Sequence, residues 1–190
     1  ERFWHWSQAA LIIGMLVTGF EVHGSYALLG FGKASKLHST LAWALITLWV
    51  FAIFWHFTTG EWKQYIPTLE RISAIIRFYA LGIFRNEPHP FRPTALRKHN
   101  PLQRLAYLGV KLVINPLIWI SGLMYLYYND LAATGRAVDL GTIATAHTIG
   151  AFMMLCFLIV HVYLITTGHT VGAHLKAMIT GWEEVDEHHA

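Results

Sequence analysis

Apolar residues in this chain gather into four long stretches, residues 3–22, 37–58, 105–128 and 140–167, separated by segments that carry charge, glycine or proline. Each stretch is long enough to cross ~30 Å of hydrocarbon as a helix rising about 1.5 Å per residue. A helix satisfies its own backbone polar groups and so tolerates a solvent that offers no partners. The pattern predicts an all-α membrane protein, one integral-membrane domain over residues 1–190 built as a four-transmembrane-helix bundle. The first stretch has no small-residue cleavage site and carries His5 at its head, which marks a retained span and not a signal peptide. The chain starts at Glu1 without Met, so a short polar lead is expected ahead of it.

Two amphipathic segments lie outside these stretches. In the long loop 60–100, residues 66–84 set Ile72, Ile75, Ile76 and Tyr79 among Glu70, Arg71 and Arg77, the pattern of a helix lying on the membrane surface. The following Asn-Glu-Pro-His-Pro-Phe-Arg-Pro-Thr, residues 86–94, should be extended, because proline excludes the residue before it from the helical region. Residues 169–182, with Leu175, Met178 and Ile179 beside Lys176 and Trp182, read as a second interfacial helix at the C-terminus. No internal repeat is visible.

Composition agrees with a bilayer: 55% of residues are hydrophobic and only 13% are charged, too few for a water-soluble surface. The net charge of +3 follows topology and does not point to nucleic acid. Lys63, Arg71, Arg77, Arg85, Arg92, Arg97, Lys98 and Arg104 lie between the second and third spans, whereas residues 21–36 and 130–139 contribute only Lys33, Lys36 and Arg136. By the positive-inside rule the long loop is cytoplasmic, and so are both termini. A single cysteine, Cys156, excludes an internal disulfide and a Cys-ligated iron-sulfur cluster within this chain.

The candidate chemistry is in the histidines. His147 and His161 share the fourth span, and at about 100° and 1.5 Å per residue their rings face within roughly 40° of one another at depths about 21 Å apart. That separation suits two stacked haem irons, each taking a second axial ligand from another helix. His38 opens the second span at the outer side, where it meets His147 across an outer haem. His5 opens the first at the inner side, where it meets His161 across an inner one. Bis-imidazole ligation fills both axial positions and favours electron transfer over substrate chemistry, so no catalytic residue is expected.

His56 competes with His5. It shares the face of His38 but lies about 27 Å further along the helix, a poorer match to the ~21 Å spacing of the fourth span. His5 is the preferred inner ligand, which leaves His56 at the cytoplasmic end of its helix, where a quinone head group would dock. The other histidines fall in loops or polar ends. Gly14, Gly19, Gly122 and Gly150 permit close approach of a porphyrin, or equally of another backbone. Lys111 lies about two turns inside the third span and is read as snorkelling toward the cytoplasm, ahead of pairing with a haem propionate or quinone.

Several short motifs carry a family likeness: Arg2-Phe-Trp-His5-Trp6, Lys36-Leu-His38, Asn100-Pro-Leu-Gln103, and His147 and His161 followed by Tyr163 and Thr167-Gly168. Across nearly its whole length the chain resembles the cytochrome b subunits of bacterial quinone-linked respiratory oxidoreductases. That group contains nickel-iron hydrogenase cytochrome b, the formate dehydrogenase gamma subunit and thiosulfate-reductase-type cytochrome b. The resemblance implies two b-type haems ligated by His38 with His147 and by His5 with His161. It also implies a menaquinone or ubiquinone site near the inner haem, to which Asn100 and Gln103 correspond, with His56 and His99 assisting proton uptake. Asn100-Pro101 reads at least as well as a helix N-cap followed by proline. Arg2 suits either a haem propionate or a positive-inside anchor.

The expected function is a membrane-anchoring dihaem cytochrome b, the electron-transfer subunit of a multi-subunit oxidoreductase. It would carry electrons between the quinone pool and an extrinsic, periplasmic redox partner: an iron-sulfur protein, hydrogenase, dehydrogenase or multihaem cytochrome c. The sequence offers two rivals. A histidine-lined metal or proton transporter would need acidic groups along a wet path, yet every Asp and Glu here falls at a span end or in a loop. A haem-free structural anchor would need no membrane histidines.

Overall fold

A computed structural model of the chain describes residues 2–85, 87, 90–91, 100–136, 138–167 and 170–182, and all regular structure among these is helical. The chain divides into two compact units, one of Glu1–Gly60 with Leu164–Ala190, the other Glu61–Tyr163.

The first unit is built on α1 (Arg2–Val22) packed along α2 (Phe31–Thr59), with the short α8 (Ala173–Thr180) tied to the start of α1. Glu21, 4% exposed, makes the turn between the two long helices. Its Oε1 accepts the backbone N–H groups of Leu28 (2.8 Å), Leu29 and Gly30 (2.7 Å), which a chain entering a helix would otherwise leave unbonded. The helix consequently starts at Phe31, six residues before the expected 37, because hydropathy marks what lies in hydrocarbon and not where backbone bonding begins. His38 thus lies about two turns inside α2 instead of opening it. At the far end Gly60, with φ 77°, closes α2 in the left-handed conformation that glycine adopts without strain. Arg2 donates to the Ile179 carbonyl (2.9 Å) and the Trp6 indole to the Met178 carbonyl (3.3 Å), so α1 caps the last turn of α8 with a cation.

The second unit carries the long loop and the remaining apolar helices. The surface segment is shorter than expected: α3 runs Ile72–Ala80, flanked by 3-10 turns at Glu61–Tyr65 and Gly82–Arg85. Arg71, in the left-handed region at φ 56°, breaks the coil immediately before Ile72, and Pro67 offers no N–H to an earlier turn. Ile75 and Phe78 form the buried face of α3, which packs on α4 (Pro101–Gly109). Asn100 caps α4 through a reciprocal box: its side chain accepts the Gln103 N–H (2.8 Å), and the Gln103 side chain accepts the Asn100 N–H (3.0 Å). The Asn100 amide also donates to the Tyr79 hydroxyl (3.2 Å), joining α3 to α4. Burial raises the pKa of that phenol, against the opposing hydrogen bond from Asn100. The proline-rich stretch 86–94 falls mostly outside the described residues, as do His99 and His169.

The third apolar stretch is one helical rod with a defect. After α4 comes a π turn at Val110–Ile114, then α5 (Asn115–Leu126) and the short α6 (Tyr128–Ala133). Pro116 explains the wider turn: it has no N–H to give and its ring crowds the carbonyl four residues back, so the Asn115 N–H reaches instead to Val110. α7 (Leu140–Ile165) begins where expected, because the Asp139 carboxylate accepts the Thr142 N–H (2.9 Å) as an N-cap.

Among the described residues, three helical stretches, Phe31–Thr59, Pro101–Leu126 and Leu140–Ile165, are long and apolar enough to cross a membrane. The 21-residue α1 is shorter and carries Arg2 and Glu21 at its ends. Replacing Asn100 by alanine should cost roughly 1–2 kcal/mol, seen as a lower thermal midpoint in detergent, whereas Asn100→Ser, which caps as well, should lose far less.

Candidate functional site

His38 and His147 are held alike. In the first unit the Thr18 hydroxyl of α1 lies 2.8 Å from the Gly14 carbonyl and 3.3 Å from that of Met15, one turn back in its own helix, and 3.0 Å from His38 Nδ1. The hydroxyl has one proton, and a carbonyl can only accept it. With that proton on the carbonyl, the hydroxyl oxygen accepts from the imidazole, an arrangement that puts the proton on Nδ1 and the lone pair on Nε2. The neighbouring Gly19 lets the ring come this close: a β-carbon there would stand 3.3 Å from His38 Cε1.

In the second unit the Ser121 hydroxyl of α5 donates back to the Leu117 carbonyl, lies 3.2 Å from that of Ile118, and meets His147 Nδ1 at 3.2 Å. His147 Nδ1 is also 3.1 Å from the Ile118 carbonyl, which fixes the same tautomer a second way. Gly122, next to Ser121, would place a β-carbon 3.0 Å from His147 Cε1. Gly150, one turn beyond His147 on α7, sits on Ile118 so closely that a β-carbon would fall 2.6 Å from Ile118 Cγ1. Gly14 does similar work on α1, 3.0 Å from Leu41 Cδ1. Gly19 and Gly122 thus admit histidine rings, while Gly14 and Gly150 admit aliphatic side chains of the neighbouring helix.

These residues suit a haem iron. A metal-bound histidine usually gives its second N–H to an oxygen acceptor, which fixes the ring and makes it a stronger donor. Each of these two histidines does so with the nitrogen that would not ligate, inside an apolar helix pair.

The other expected residues are placed as follows. His5, on α1, stands edge-on to Trp6 with ring centroids 5.3 Å apart. His161, on α7, is stacked with Phe157 at 5.7 Å. The members of each expected pair, His38 with His147 and His5 with His161, belong to different units. His56 is buried, with Nδ1 on the Ala52 carbonyl and its ring edge-on to Trp4 at 5.4 Å. The Trp4 indole N–H is buried with no acceptor among the described residues. Arg2 is engaged with the end of α8, and Asn100 and Gln103 with each other. Lys111 Nζ lies 3.5 Å from the centroid of the Tyr65 ring, a cation–π contact with the loop ahead of the third span.

Sequence reasoning singles out neither Thr18, Ser121 nor the Glu21 turn, and it reads Trp4 only as a span-end tryptophan of an interfacial belt with no cofactor role. A hydroxyl followed by glycine in the helix preceding a histidine-bearing helix, Thr18-Gly19 and Ser121-Gly122, was the signal available.

Residues 1–181 match the family described as prokaryotic cytochrome b561. The chain belongs to that family, and is a membrane, haem-binding electron-transfer cytochrome; the family binds b-type haem, usually two. It is 33% identical over 188 residues to the protein "Putative cytochrome YdhU" of Escherichia coli (strain K12), covering 95% of this chain and 71% of that one. No solved structure matches significantly.

The contact distances rank two substitutions. Gly122→Ala, whose methyl meets His147 at 3.0 Å, should reduce haem per chain more than Gly19→Ala, whose methyl meets His38 at 3.3 Å. Pyridine haemochrome quantitation of the purified variants measures both.

Proposed function

We propose that the chain is a dihaem cytochrome b, with His38 and His147 ligating an outer haem and His5 and His161 an inner one, that carries electrons between a periplasmic redox subunit and the quinone pool. The twin histidine clamps carry this reading: two rings in two helix pairs, each with Nδ1 against a hydroxyl, which leaves Nε2 to ligate. His38 and His147 each lie about two turns inside their own helix. Haem, when bound, supplies a single-electron ferric–ferrous couple. The chain supplies the ligands, holds their tautomers and excludes water with apolar walls.

The architecture that goes with this function is a single domain in which α1, about 31 Å long, is the fourth span, while α3 and α8 lie at the cytoplasmic surface. Both termini are then cytoplasmic, in a bacterial inner membrane, as the basic loop between the second and third spans requires. For the quinone, menaquinone or ubiquinone, the weight rests on Trp4 and His56 at that cytoplasmic end. The Trp4 indole is a buried donor lacking an acceptor, which a quinone carbonyl would provide. Asn100 and Gln103 already use their amides in the capping box, so they would shape such a site more readily than bind in it. The partner's own chemistry and the potentials set the direction of flow.

Reduced-minus-oxidised spectra with haemochrome quantitation test the reading. Two b-type haems per chain are expected, and His147→Leu combined with His161→Leu should remove both, together with quinol-dependent reduction. A double variant that keeps its haem would end the ligand assignment, and a folded wild-type protein without haem would favour a transporter or a structural anchor. Trp4→Phe should keep both haems and raise the KM for quinol several-fold.

A further inference from the structure

We infer that Thr18 and Ser121 are positioning residues that set the donor strength of His38 and His147, and thereby the potential of the haem these histidines hold; this rests on the haem reading above. A hydroxyl in an apolar helix needs no such contact. Thr40 and Thr47 on α2 satisfy theirs by the backward bond alone, at 2.9 Å to the carbonyls of Lys36 and Trp43. Thr18 and Ser121 make the same backward bond and in addition turn an oxygen lone pair onto an imidazole Nδ1, at 3.0 and 3.2 Å. Each is followed by a glycine whose missing side chain sets that distance. The same two-residue device occurs on two helices that carry different surroundings, once before each clamped histidine.

The electronic consequence has a sign. Drawing the Nδ1 proton toward an acceptor gives the ring partial imidazolate character and raises the basicity of Nε2. A more basic axial ligand stabilises ferric iron over ferrous, so the clamps lower the midpoint potential. The His147 clamp has a reserve, because the Ile118 carbonyl at 3.1 Å remains when the Ser121 hydroxyl is removed.

The test uses the intact cytochrome purified in detergent, with haem per chain, an optical redox titration and the low-spin ferric electron-paramagnetic-resonance spectrum measured on each variant. Thr18→Val and Ser121→Ala should keep wild-type haem content and shift one and the same midpoint to more positive potential, with altered ferric g-values. Thr18→Ser and Ser121→Thr, which restore the hydroxyl, should return both readouts toward wild type. Full haem content with unmoved midpoints and spectra in both hydroxyl-free variants would overturn the inference while leaving the haem reading intact. Movement of two different midpoints would keep the tuning role and overturn the pairing of His38 with His147 on one haem. If Thr18→Val fails to retain haem, Ser121→Ala decides alone, since its ring is still held by Ile118. A wild-type protein without haem would fail the underlying reading instead.

Discussion

A hydroxyl group that bonds backward to its own helix and sideways to a histidine ring is the contact on which this protein depends. In hydrocarbon an imidazole N–H without an acceptor is costly. Thr18 and Ser121 solve this by giving their proton to a carbonyl one turn back and keeping an oxygen lone pair for the ring. The demand for small residues at Gly19 and Gly122 follows directly, because the ring must lie against the helix surface to reach a hydroxyl that barely projects from it. The close packing of Gly150 on Ile118 then holds α7 near enough to α5 for the contact to persist.

The all-helical character and three of the apolar spans were legible because bilayer constraints write themselves into composition as long apolar stretches. Where the reading slipped, a local backbone event had outweighed hydropathy. α2 starts early because Glu21 gathers three N–H groups ahead of it, and α3 starts late because Arg71, in the left-handed region, breaks the coil just before it. The π turn at Val110–Ile114 follows from Pro116, whose effect is felt one turn before the residue itself. Hydropathy averages over such single positions and does not see them.

The site was legible only in part, for a related reason. His38, His147, His5, His161 and His56 announce themselves by being polar in apolar surroundings. Thr18 and Ser121 do not, since membrane helices carry many hydroxyls that do nothing but bond to their own backbone. Glycine gave a half-signal. Its presence promised a close approach, but only coordinates could say that the visitor at Gly19 and Gly122 is an imidazole and not a porphyrin or a second backbone. The chain has no internal repeat in its letters, yet it uses one device twice.

That each clamp is complete within its own pair of neighbouring helices bears on how such a protein is made. Helices enter a membrane sequentially during synthesis, and α1 with α2 can fix the His38 ring before the later helices exist, just as α5 with α7 can fix His147. Rotamer and tautomer entropy is then lost during insertion, so on the ligand assignment proposed above a haem arriving late would meet rings that are already set.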